Sequence, residues 1–145
     1  MHAIEFMPAR DTHARLLLDG RALRRFTPLL PSVIDITSRF APERERVEAF
    51  IRDIYRKSYN ADIAVRYPTL MSVRSAEGEI LAAAGFRLAH EEPLFLEQYT
   101  REPIEDVLTR SLSQDIARSE VAEIGNLASQ GKGASVFLFA AIASY

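Results

Sequence analysis

The stretch Val121 to Tyr145, VAEIGNLASQGKGASVFLFAAIASY, narrows the folding choices more than any other part of the chain. It reads as a strand from Val121 to Leu127, a loop of small residues, and a helix from Ala134 that is apolar on nearly every side. A helix without a polar face is built for burial, so it must pack on a sheet or on other helices. Gly131 and Gly133 let the backbone approach a ligand closely, and the free N–H groups at a helix start favour negative charge. The junction therefore offers a phosphate-cradling turn made of Gln130, Gly131, Lys132, Gly133, Ala134 and Ser135, with Lys132 adding a cation. It lacks the spacing and the Lys-Ser/Thr pair of a P-loop, and it is shorter than a dinucleotide fingerprint. A plain tight turn would use the same residues.

Several function classes are excluded or disfavoured by what the chain contains. With no Cys there are no disulfides, no thiolate nucleophile and no thiolate metal site. A formal net charge of -2 offers no concentrated basic face for nucleic acid. His2, His13 and His90 are too scattered for a metal set. The first residues, MHAIEFMPARD, lack a signal-peptide core, and the longest apolar stretch, Ala134 to Ala143, is short of the roughly 20 residues that span a bilayer. The expectation is a cytoplasmic protein.

Residues 1–41 show weak periodicity and are broken by Pro8, Asp19-Gly20, Pro28 and Pro31; they read as an N-terminal arm with strand candidates at Ala14 to Leu18 and Ser32 to Thr37. Arg21, Arg24 and Arg25 interleave with Leu23 and Phe26, a pattern that a membrane surface would accept and that a solvated face explains equally well. The domain proper is expected over residues 42–145. Ala41 to Tyr59 is the clearest helix: Pro42 suits its first turn, and Val47, Phe50, Ile51, Ile54, Tyr55 and Ser58 share one face. Glu48–Arg52 and Asp53–Lys57 are i,i+4 pairs, and Asn60 is a stop. Thr69 to Arg74 and Glu79 to Leu88 make a hairpin around a Gly78 turn, and the small residues Ala82 to Gly85 imply close packing or a bulge at Gly85. LFLEQY, Leu94 to Tyr99, reads as a short strand, and Pro103 opens a helix carrying Ile104, Val107, Leu108 and Leu112. The fold class is α/β, of the mixed α+β three-layer kind: a central, mostly antiparallel sheet flanked by helices.

Two carboxylates on apolar strands, Glu97 and Glu123, are candidate general bases, since desolvation would raise their pKa; a salt bridge to Arg87 or Arg101 is the bland alternative. Asn126 is placed to donate to a carbonyl that becomes anionic, or simply to turn the backbone.

The segments Val47-Glu48, Phe50-Ile51, Tyr55, Tyr59, Ala61, Pro68, Leu70, AAAGFRLA (Ala82 to Ala89), LFLEQY, Pro103-Ile104-Glu105 and EIGNLAS (Glu123 to Ser129) resemble the thermostable hemolysin family over about two-thirds of the chain. Gln130, Gly133 and Ser135 also fall on the Q/R-x-x-G-x-G/A turn by which GNAT acyltransferases hold coenzyme A, with Ser a departure at the last position. The resemblance implies a GNAT-like fold whose C-terminal half is missing from this stretch. It also implies acyl transfer from acyl-CoA or an acyl-carrier protein, used as cosubstrate with no tightly bound cofactor, to an amine or hydroxyl. Glu123 to Leu127 would line the pantetheine cleft, Gln130 to Ser135 would meet the pyrophosphate, and the stretch alone would not be expected to be active. Two alternatives stay open: a membrane-interacting, hemolytic protein as the family name implies, and a non-catalytic interaction module. An uncovered apolar terminal helix would drive homodimerisation.

Overall fold

The computed structural model describes residues 2–7, 14–18, 31–131 and 133–145, and of residues 2–7, 14–18, 31–32 and 144 only the backbone. The expected basic patch Arg21–Phe26 lies outside the described residues, as does Lys132. Six strands form one sheet: β1 (His2–Met7), β2 (Ala14–Leu18), β3 (Pro31–Thr37), β4 (Thr69–Ser75), β5 (Ile80–Leu88) and β6 (Ala122–Ser129). Their order is β2-β1-β3-β4-β5-β6, with β1 and β3 parallel and every other pair antiparallel. The sheet is thus mostly antiparallel, and both strand candidates of the first 41 residues belong to it. β1 was not foreseen, because HAIEFM carries no clean alternation to mark it.

Two helices cover the two faces and make the three layers. The first, α1 (Arg44–Tyr59), buries Val47 and Ile51 against Leu70, Ile80, Ala83 and Ala128, with Phe50, Ile54 and Tyr55 partly buried beside them. It ends where expected, on Asn60 in the left-handed conformation, and carries the Arg52–Glu48 pair at 3.1 Å. The last helix, α3 (Ala134–Ser144), lays Phe137, Leu138 and Ala141 on Ile34, Met71, Val73, Ala82, Ala84 and Phe86 of the opposite face. Its other side is not buried: Val136 and Phe139 are 52% and 47% exposed. Between β5 and β6 runs α2 (Ile104–Leu112), preceded by Pro103 and packed by Ile104 and Leu108 on Ala89, Leu94 and Val121.

One expectation is corrected. LFLEQY is not a strand; Phe95–Tyr99 is a 3-10 helix. β6 takes the side of β5 that LFLEQY would otherwise have joined. The Glu97 side chain also accepts the Leu94 amide at 2.9 Å, which closes the turn locally.

Candidate functional site

The register does shift beside Gly85, where a bulge was expected, but the extra residue lies on the facing strand, β6. Ala83 faces Ala128 and Gly85 faces Gly125, so Asn126 and Leu127 on β6 stand opposite Ala84 alone. Asn126 takes up the extra length with φ of 51°, a left-handed conformation that Asn tolerates better than most residues. Leu127 turns partly outward. No strand among the described residues pairs with the outer edge of β6.

The two glycines opposite one another have a shared cause, which is Tyr67. A Cβ on Gly85 would come within 2.5 Å of the Tyr67 Cβ, and one on Gly125 would collide with its phenol oxygen. The ring therefore lies across both strands on the α1 face. It is held from behind by Arg44, which is buried on α1 and donates from Nη2 to the Tyr67 carbonyl at 2.6 Å and from Nη1 to that of Pro68 at 2.9 Å. The Arg87 guanidinium sits 4.6 Å from the Tyr67 ring centroid. Burial and the negative charge of Glu123 push the Tyr67 phenol above its ordinary pKa. Tyr67 was not singled out from sequence; two glycines, one on each of two strand-like segments, were the available trace of it.

Glu97 and Glu123 occupy separate environments. Glu123 has a buried side chain that accepts the Phe95 and Leu96 amides at 2.9 and 2.8 Å and lies 3.3 Å from Arg87 Nε. Glu97, on the 3-10 helix, accepts the amides of Leu94 and Ile104 and pairs with Arg118 Nη1 at 2.6 Å and Nη2 at 3.0 Å. The bond from Arg118, helped by those amides, pulls its pKa down to about 2, the reverse of the rise expected from desolvation. The partner is neither Arg87 nor Arg101. Arg118 also reaches Glu105 at 2.8 Å and the Ala89 carbonyl at 2.7 Å, so it ties together the whole β5–β6 connection.

The glycine loop is half committed. The Gln130 amide donates to Leu81 O and its side chain to Ile80 O, at 3.0 and 2.8 Å, which anchors the loop to β5. The Gly131 amide donates to Ser129 Oγ at 3.1 Å, and those of Ala134 and Val136 to Gly131 O and Gly133 O at 3.2 and 3.1 Å. The amides of Gly133 and Ser135 have no partner among the described residues. Gly131 and Gly133 both have φ of 83°, so each glycine is needed for conformation.

The thermostable hemolysin family profile matches residues 37–145, from the end of β3 through α3. The chain belongs to the thermostable hemolysin family. No curated protein and no solved structure matches it. The family match covers every residue of the bulge, the Tyr67–Arg87–Glu123 cluster and the glycine loop. Among the described residues, no helix is long and apolar enough to cross a membrane.

Proposed function

We propose that this member of the thermostable hemolysin family carries the donor-binding side of a thioester-dependent acyltransferase. A coenzyme A or carrier-protein phosphopantetheine would lie along the outer edge of β6. The observation that carries the reading is the junction of that edge with α3: the amides of Gly133 and Ser135, unpartnered among the described residues, open a helix of eleven residues directly after the bulged strand. Amides at such a start suit a diphosphate, and a strand edge suits the pantetheine amides. The element order, helix on each face and bulge in the last strand are consistent with a GNAT-like fold. Asn126 would polarise the thioester carbonyl, and its side chain makes no hydrogen bond with a described residue. Leu127, Gln130, Gly131, Lys132 and Ala134 would shape the donor site around the two amides. Both Glu97 and Glu123 are held as acceptors by several donors, so the acceptor's proton would pass to solvent water and not to either carboxylate.

Titration of coenzyme A against the full chain, Gly133→Val and Ser135→Asp tests this. Loss of one charge-assisted bond to a phosphate is worth about 1.5–3 kcal/mol, so binding should weaken by roughly tenfold or more in each variant. Ser135→Asp places a negative charge at the same spot without requiring a new backbone conformation. Unchanged affinity in both variants would remove the diphosphate assignment.

A second reading has one observation in its favour. Phe95, Leu96 and Tyr99 project from the 3-10 helix at 54%, 53% and 72% exposure, an apolar knuckle of the sort that can enter a membrane surface. Dye release from liposomes by detergent-free protein, abolished by Phe95→Ser with Tyr99→Ser, would favour the lytic reading.

A further inference from the structure

At the end of β6 remote from the glycine loop, an apolar pocket of about 210 Å³ opens on the α3 face. Met71 and Phe86 form its floor, Ala122 and Ile124 of β6 its rim, and Ile142 and Tyr145 at the end of α3 its wall. The Tyr145 ring meets Phe86 edge-on at 5.2 Å and steadies that wall. No charged side chain lines it, so water inside would find few partners, and such cavities take apolar ligands. Ile124 is 45% exposed, which leaves the mouth open beside a strand edge that no described strand covers.

Position tells what the occupant would be. Six residues of strand, about 20 Å at 3.3 Å each, separate Ile124 from Gln130. The order along this single edge is then anion-seeking amides, a bulge at Asn126, and an apolar pocket. That is the order of chemical character in a thioester donor: diphosphate, carbonyl, hydrocarbon.

We propose that this pocket receives an unbranched acyl chain, making the chain selective for medium-length over acetyl donors. This rests on the donor-site reading above. An apolar cavity of about 150 Å³ accommodates benzene, so one of this size fits a chain of about eight carbons. Ala122 and Ile124 face it because side chains two apart share a face, while Glu123 between them points to the opposite side, into the Tyr67–Arg87 cluster.

The experiment has two arms on the full chain. Calorimetric titration with acetyl-, butyryl- and octanoyl-CoA should show octanoyl binding at least about tenfold tighter than acetyl, since each buried methylene adds favourable transfer energy. Ala122→Phe, which fills the pocket from its exposed rim, should erase that preference and leave coenzyme A binding unchanged. Leu88→Phe, at another residue lining the pocket, serves as a second variant with the same expected loss of preference, and a melting curve verifies folding of both. The other arm uses sodium octanoate alone, which should perturb Ile142 in NMR spectra of wild type and not of Ala122→Phe. Equal affinity for acetyl and octanoyl donors would overturn the acyl pocket while leaving the donor site standing. Octanoate binding that Ala122→Phe abolishes, with no CoA ester bound, would keep the pocket and sink the donor-site reading. Failure of octanoate to bind together with no chain-length effect ends the proposal.

Discussion

The long connection between β5 and β6, which includes α2, and the short loop between β6 and α3 both adjoin one strand, yet they spend their donors differently. In the first, both Glu123 oxygens accept backbone amides, and both Glu97 oxygens accept amides and Arg118. In the second, Gln130 is fully engaged with β5, whereas Gly133 and Ser135 keep their amides unpartnered among the described residues. Saturated polar groups hold a scaffold; leftover ones, facing outward at a helix start, are available to a ligand. The difference teaches that the carboxylates Glu97 and Glu123 are already spent on protein donors, whereas the glycine loop still has amides without a partner among the described residues.

The comparison breaks most visibly if Glu123 turns out to be dispensable. Glu123→Ala leaves Arg87 without its buried partner and the Phe95 and Leu96 amides without acceptors. Removing one member of a buried pair costs about 3–5 kcal/mol, so chemical denaturation should show a loss of that size, with coenzyme A affinity retained in the folded fraction. A loss below about 1 kcal/mol would mean that the cluster is not a scaffold. Gly125→Ala comes next. The new methyl meets the Tyr67 phenol, and overpacking of this kind costs about 1–3 kcal/mol. In a Tyr67→Ala background the same change should be almost neutral, and the double-mutant cycle reads the coupling directly. Gly131→Ala is milder. Nothing lies within 4 Å of its Cβ, so only the left-handed backbone is penalised, by about 1–2 kcal/mol, and the melting temperature should fall by roughly 3–8 °C.

What the sequence made legible follows from how local each cause is. The α1 stripe, the Asn60 stop, the Gly78 turn and the Pro103 helix start depend on residues within a turn or two, and all are present. The small residues around Gly85 pointed to the irregular stretch of the sheet, although the extra residue sits across from it on β6 and Gly85 itself makes room for Tyr67. LFLEQY failed because four apolar or aromatic residues in six look the same in a strand and in a tight turn when the neighbouring edge is unknown. Arg118 and Tyr67 were passed over for a related reason. One is anchored 21 residues from its Glu97 partner, and the other meets glycines on two different strands. Contacts of that separation leave no spacing to read. For the glycine loop, sequence located the residues and their conformations, but which amides the neighbouring strand consumes depends on register alone.

The most delicate test concerns the carboxylate that sequence reading placed on a strand as a base. Arg118 and the Leu94 and Ile104 amides lower the Glu97 pKa from 4.5 to about 2, so the folded state releases this proton more readily than the unfolded one. A depressed carboxylate contributes stability that is complete above the unfolded pKa and disappears as pH falls toward the folded one. Wild type should therefore exceed Glu97→Gln in stability at pH 6, and the margin should shrink between about pH 4.5 and 2. Glu43 and Glu102, also lowered by arginine partners, titrate in both proteins and cancel in the difference. Urea melts across that range give the difference curve. A flat curve would mean that Arg118 does not hold Glu97, freeing its carboxylate to act as a base after all; a curve that closes with acid assigns it to the scaffold.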